Sequence, residues 1–92
     1  MKIGPTSKLT QTSRTATRVI DGKAVVVVID RQELHTLNAV GTLIWELADG
    51  RSVQDVVDEI MTRFEVDEST ANSDLNAFVN DLHSAGALDV TP

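Results

Sequence analysis

The chain has 92 residues, 8 of them basic and 14 acidic, for a net charge of −6. That length is enough for one hydrophobic core but not for two, and a hydrophobic content of 41% is typical of a folded domain. The absence of cysteine from the sequence excludes a disulfide framework, a thiolate zinc site, an iron–sulfur cluster and a cysteine nucleophile.

The apolar segments are too short for a membrane span. The longest, Ala24–Ile29, falls far below the roughly 20 residues that cross a bilayer. Met1–Pro5 leads into polar residues without the apolar region of a secretory signal. We therefore expect a cytoplasmic protein with no membrane partner.

The acidic charge is concentrated in the second half of the chain. Residues 1–50 contain six bases and five acids (+1), whereas residues 51–92 contain two bases and nine acids (−7). A surface built from the second half repels phosphate, so no nucleic-acid partner is expected.

The first third of the chain is typical of strands. Residues 1–15 are polar and lack an apolar period, which predicts a flexible N-terminal arm or a strand that orders late. Two strand-like runs, 16–20 and 23–29, flank Asp21-Gly22, a dipeptide that favours a two-residue hairpin turn. A polar turn then leads to a short third strand, Leu34–Leu37. Three strands with short connections predict an antiparallel meander.

Three helices are predicted next, each from an apolar stripe and a starting residue. Asn38 is an N-cap for the first helix, and Gly50 marks its end. Ser52 resembles the start of a capping box, and Asp67 or Ser69 begins the third helix. Gly86 ends that helix, and 87–90 predicts a short final strand. The stripes contain Val40, Leu43, Ile44 and Leu47; Val53, Val56, Val57, Ile60, Met61 and Phe64; and Ala71, Leu75, Phe78, Val79, Leu82 and Ala85.

This order predicts an α+β fold, in which a three-stranded antiparallel meander is followed by a three-helix bundle, like a winged helix-turn-helix. The helices cover one face of the sheet, but the second strand is apolar on both faces. Ala24, Val26 and Val28 point to one side, while Val25, Val27 and Ile29 point to the other. The N-terminal arm, the twist of the sheet, a second copy of the chain or a partner protein could cover the second face.

The sequence contains little that indicates a catalytic site, a metal site or a cofactor site. His35 and His83 lie on different elements without metal-ligand spacing, and no glycine-rich phosphate loop is present. We therefore predict no catalytic residues, no metal and no cofactor. DNA binding is disfavoured because Asp74 and Asp81 lie on the helix that would face the phosphates. Trp45 lies roughly 140° from the middle of its stripe, at 100° per residue, which leaves helix packing or a surface anchor open.

The second half of the chain contains an ordered pattern of residues: Leu37-Asn38-x-x-Gly41-x-x-Ile44-Trp45-x-Leu47, Asp49-Gly50-x-Ser52-Val53, Ile60, and Asp74-Leu75-x-x-Phe78-Val79-x-x-Leu82-x-x-x-Gly86-x-Leu88. This pattern resembles the coenzyme PQQ synthesis protein D (PqqD-like) family. The resemblance covers roughly residues 15–90, so 16–92 is identified as a PqqD-like domain.

The resemblance implies a peptide-recognition element for ribosomally made, post-translationally modified peptides. Such a protein is non-catalytic, binds a precursor's leader peptide by strand addition and presents it to a modifying enzyme, for which a radical SAM protein is one candidate. The PQQ pathway is one setting among several. The residues that the resemblance assigns to leader binding are Leu34, His35, Thr36 and Leu37 on the third strand, and Ala71, Asp74, Leu75 and Phe78 on the third helix.

The residues themselves support strand addition, because the third strand is short and last in its meander, where unpaired backbone groups are expected. Asp74 and Asp81 could attract basic leader residues or form an ordinary solvated helix face. Leu75 and Phe78 could form a leader pocket or pack in the core. The alternative function is a self-associating structural or regulatory module that dimerises through the 24–29 strand and binds no peptide.

Overall fold

A computed structural model describes residues 3–92, so the first two residues of the predicted arm lie outside the described part. The described chain forms three helices, six strands and one short 3-10 turn at Ile29–Arg31. In chain order the main elements are β1 (Lys8–Gln11), β2 (Thr15–Ile20), β3 (Lys23–Val28), β4 (Glu33–Thr36), α1 (Ala39–Leu47), β5 (Asp49–Ser52), α2 (Val53–Phe64), α3 (Glu68–Ser84) and β6 (Leu88–Thr91). The α+β class, the meander and the three helices that follow it are confirmed.

The predicted meander is the sheet β2-β3-β4, antiparallel throughout. Asp21 and Gly22 both have positive φ, at 53° and 78°, which is the signature of a type I′ turn. Its twist matches that of the flanking strands, so Ile20 pairs directly with Lys23. The third strand begins and ends one residue earlier than predicted, and Leu37 follows it.

A second antiparallel sheet, β5-β1-β6, was not predicted as a sheet. Its central strand lies within the segment predicted as an arm or a late strand, and its Leu9 is fully buried. The hydrophobic core therefore extends further toward the N-terminus than residue 16. The expected final strand is present, shifted by one residue, as β6. Both β1 and β5 are polar apart from Leu9, so neither shows the apolar alternation that identifies a strand.

All three predicted helix starts are confirmed by their cap hydrogen bonds. Asn38 Oδ1 accepts from Gly41 N–H at 2.7 Å, and Ser52 Oγ accepts from Asp55 N–H at 3.2 Å. Of the two candidates for α3, Asp67 is the cap and Ser69 lies inside the helix. The carbonyls of Ser7 and Pro5 also accept the first backbone N–H groups of α2, which ties the N-terminal segment to the body of the domain.

Asp67 makes the stability of α3 depend on pH. Its Oδ1 accepts the backbone N–H of Thr70 at 2.8 Å, and this bond, with a smaller contribution from the Thr70 side chain, lowers the pKa of the carboxyl below its ordinary value. A lowered folded-state pKa contributes stability at neutral pH that is lost as the pH falls through that value. We expect Asp67→Ala to lower the urea midpoint at pH 7.

The same experiment at acid pH tests the cause. The difference in urea midpoint between the wild type and Asp67→Ala should become smaller once the pH falls below the range in which carboxyl groups ordinarily titrate. Asp67→Ser is the matched control, because a serine caps the helix without titrating, and its difference from Asp67→Ala should persist in acid. An Asp67→Ala difference that is independent of pH would contradict this account.

The core lies between the sheets and the helices. The inward residues of β3, namely Ala24, Val26 and Val28, are fully buried. Trp45 is 1% exposed, and its Nε1 donates to Thr17 Oγ1 of β2 at 2.9 Å. Packing, and not a surface anchor, is therefore the role of this tryptophan.

The opposite face of the meander is only partly covered. Val25 and Val27 are half-buried between their cross-strand neighbours, and Ile29 is exposed. The strand β1 of the predicted arm belongs to the other sheet and does not pair with this one. Self-association through the 24–29 strand remains a prediction, which sedimentation tests. Among the helices of residues 3–92, none is both long and apolar enough to cross a membrane.

Candidate functional site: the open edge of β4 and its cleft

The strand β4 has one neighbour in the described structure, β3, and its other edge is open. The hydrogen-bonding direction of each residue follows from the register. Leu37 N–H donates to the Ala24 carbonyl at 2.8 Å. Residues of an antiparallel pair alternate between facing the partner and facing away, so His35 and Glu33 also bond toward β3. The N–H and C=O groups of Leu34 and Thr36 therefore point to the open edge.

Side chains alternate in the same way, so the two faces of β4 have different surroundings. His35 and Leu37 lie on the face that looks toward the helices, and they are half-buried and buried respectively. Leu34 and Thr36 lie on the opposite face, and Leu34 is 64% exposed. An added strand would place alternate side chains next to the helices and the others beside Leu34.

A cleft of about 460 Å³ runs along this open edge. One wall is β4, the other is α3, and the start of α1 contributes the floor. The lining residues are Leu34, His35, Thr36, Leu37, Asn38, Val40, Gly41, Ile44, Asp74, Ala77, Phe78, Asp81 and Leu82.

At the floor of the cleft, Gly41 of α1 lies next to Phe78 of α3. A Cβ atom placed on this glycine would lie 3.5 Å from Phe78 Cδ2 and 3.2 Å from Asn38 Oδ1. The distance to Phe78 is an ordinary van der Waals contact, and the tighter one is to Asn38, the cap of the same helix. Phe78 keeps 8% of its surface exposed, which makes it the aromatic residue at the base of the cleft.

The rim of the cleft is acidic. Asp74 and Asp81 line the α3 wall, both are exposed, and within residues 3–92 neither forms an ion pair. His35 is the one potentially cationic residue in the lining, and its Nε2 lies 3.4 Å from Glu33 Oε2. The local field therefore favours a cationic rather than an anionic ligand.

Six of the eight predicted site residues lie in this cleft: Leu34, His35, Thr36, Leu37, Asp74 and Phe78. The other two, Ala71 and Leu75, do not line the cleft, because both are fully buried in the core. They belong to the stripe of α3 that packs on the other helices. The face of α3 that lines the cleft is turned away from this stripe and consists of residues 74, 77, 78, 81 and 82. These positions also recur with a helical period, but they include the polar residues Asp74 and Asp81, so an apolar pattern does not identify them.

The lining residues that were not assigned to the site also include Asn38, Val40, Gly41 and Ile44 of α1. Three of these residues, Asn38, Gly41 and Ile44, belong to the family pattern, which could have indicated a role in the site. In the sequence, however, helix capping explains Asn38 and core packing explains Ile44. Within the described residues, no group of three or more His, Cys, Asp and Glu side chains is placed to hold a metal ion.

These features define a small α+β domain with an open strand edge beside an acid-rimmed cleft of mixed polar and apolar lining. The chain belongs to the PqqD family: the model of the family described as coenzyme PQQ synthesis protein D (PqqD) matches residues 23–88. The resemblance read from the sequence is thereby confirmed.

Two solved structures share the fold. A chain described as TbiB1 in complex with the TbiA(beta) leader peptide is 27% identical, with a TM-score of 0.79, over 87% of this chain and 94% of that one. A chain described as lasso peptide synthetase B1 complexed with the leader peptide is 23% identical, with a TM-score of 0.76, over 89% and 98% of the two chains. No curated protein matches this sequence.

Proposed function

We propose that this protein is a non-catalytic adaptor that binds the leader of a ribosomally made precursor peptide and presents it to a modifying enzyme. The leader adds as a strand to β4 and lays alternate side chains into the cleft against α3. The observation that carries the proposal is the open edge of β4 directly beside that cleft. Membership of the PqqD family, and a solved relative that holds a leader peptide, support it.

Backbone pairing alone does not hold such a peptide. Leu34 and Thr36 offer four outward groups, and each hydrogen bond contributes about 0.5–1.5 kcal/mol net. Ordering each leader residue costs about 1–2 kcal/mol, so the two terms roughly cancel over four residues. Apolar anchors must supply the rest, at about 1.5–3 kcal/mol for each fully buried large side chain. The apolar base of the cleft, around Phe78 and Leu82, is where they bind.

The modifying enzyme is a separate protein in this proposal, and a radical SAM enzyme is one candidate. The cytoplasm, where precursor peptides are made, is the proposed setting. No residue of the cleft distinguishes the PQQ pathway from other pathways that modify a peptide.

Calorimetric titration with a leader peptide tests the proposal. The probe is the synthetic leader of a precursor encoded beside the gene for this chain, and a scrambled leader is the control. A Kd in the micromolar range or tighter, about −8 kcal/mol or better, is expected. In NMR spectra the amide signals of Leu34 and Thr36 should shift most within β4. The absence of heat, together with unchanged β4 signals, would refute the proposal; a tight dimer without peptide affinity would favour the self-association alternative.

A further inference from the structure

Three residues of the cleft lie in a line along one face of α3. Phe78 follows Asp74 by four residues and Asp81 follows Asp74 by seven, so the three side chains lie within roughly 60° of one another around the helix. Along the helix axis, Asp81 lies about 10 Å from Asp74, with Phe78 between them. The cleft wall therefore presents a carboxylate, an aromatic ring and a second carboxylate in succession.

A strand added to β4 presents side chains to this wall at every second position. Alternate residues of a strand lie about 7 Å apart, and the first and third cleft-facing residues about 13 Å apart. Lysine and arginine side chains are long and flexible enough to cover the remaining difference of about 3 Å. Because a carboxylate lies on each side of Phe78, a strand that runs in either direction along the cleft can match this arrangement.

The two carboxylates are available to a ligand. Neither forms an ion pair within residues 3–92, and no lysine or arginine lines the cleft. Both side chains are exposed, so pairing with a cation requires little desolvation. Such exposed pairs change Kd by about fivefold at most, and their main effect is to select among peptides.

We propose that the leader bound by this chain has the pattern cationic–x–apolar–x–cationic in its added strand. The apolar side chain binds against Phe78, and the two cationic ones bind Asp74 and Asp81. Leaders with acidic residues at the outer positions bind more weakly because of charge repulsion. This inference depends on the proposed strand addition to β4, and it names the class of peptide that the site accepts.

Selection from a displayed library of random dodecapeptides tests the pattern. Wild type, Asp74→Asn/Asp81→Asn and Asp74→Lys/Asp81→Lys are panned in parallel, and only clones that no longer bind Thr36→Pro are counted. Glu46→Lys/Asp58→Lys is the matched control, because both residues are exposed on helices and lie outside the cleft. Circular dichroism establishes that each variant is folded.

We expect wild type and the control to enrich the cationic–x–apolar–x–cationic pattern. The asparagine variant should lose the cationic preference, and the lysine variant should enrich acidic residues at the same two positions. For a selected peptide, replacing one outer lysine with glutamine should raise Kd about two- to fivefold for the wild type and leave it unchanged for the asparagine variant.

The possible failures are distinguishable. Thr36-dependent clones without a cationic preference, or with a preference that survives Asp74→Asn/Asp81→Asn, would overturn this inference and leave the adaptor proposal standing. A library that yields no Thr36-dependent clones would overturn both.

Discussion

Replacing Thr36 with proline is expected to weaken leader binding at least about tenfold while the domain stays folded. The register of β3 and β4 directs the N–H of Thr36 to the open edge, and proline has no N–H to donate. The variant loses one hydrogen bond and leaves a leader carbonyl without its partner, at a combined cost of roughly 1.5–4 kcal/mol. Tenfold in Kd corresponds to about 1.4 kcal/mol.

The other edge of the same sheet provides the matched control. Val19 lies on β2 next to the hydrogen-bonded pair Ile20–Lys23, so its N–H also points out of the sheet, on the side away from the cleft. Val19→Pro should leave leader affinity unchanged. Calorimetry measures both affinities, and circular dichroism checks the fold. If both proline variants weaken binding equally, or if neither does, strand addition to β4 is wrong.

Replacing Trp45 with alanine is expected to lower the free energy of unfolding by about 3–5 kcal/mol. The side chain is 1% exposed and is the largest of the fully buried side chains. Its Nε1 donates to Thr17 Oγ1 of β2 at 2.9 Å, a hydrogen bond that alanine cannot form. Because domains of this size are stable by only about 5–15 kcal/mol, the variant should be partly unfolded near physiological temperature.

Two further variants separate packing from hydrogen bonding at this position. Trp45→Phe keeps much of the buried apolar surface, and Thr17→Val removes only the acceptor of the indole N–H. Urea unfolding should show a smaller loss for each of them than for Trp45→Ala, with Thr17→Val the mildest. A Trp45→Ala variant as stable as the wild type would contradict the assignment of Trp45 to the core.

The features predicted correctly from sequence are those whose partners lie close together in the chain. The type I′ turn needs only Asp21 and Gly22, because these two residues themselves adopt positive φ. Each helix cap joins a side chain to an N–H three residues ahead, as from Asn38 to Gly41 and from Asp67 to Thr70. Such interactions are encoded in a few adjacent residues and do not depend on the rest of the fold.

The second sheet depends on pairings that no local pattern encodes. Lys8 in β1 pairs with Ser52 in β5 and with Thr91 in β6, across more than 40 and more than 80 residues. The polar sequences of β1 and β5 have no apolar alternation of their own. Their strand conformation comes from backbone pairing around the buried Leu9.

The sequence by itself determined the α+β class, the hairpin, the helix starts and, through its ordered family pattern, the third strand and third helix as the place to look for a site. The tertiary structure alone decided which residues of these two elements are available to a ligand. The direction of the Thr36 N–H is set by the register of β4 on β3, and the burial of Leu75 is set by how α3 packs on the core. Both depend on contacts between segments distant in the chain, which a periodic pattern within one segment does not specify.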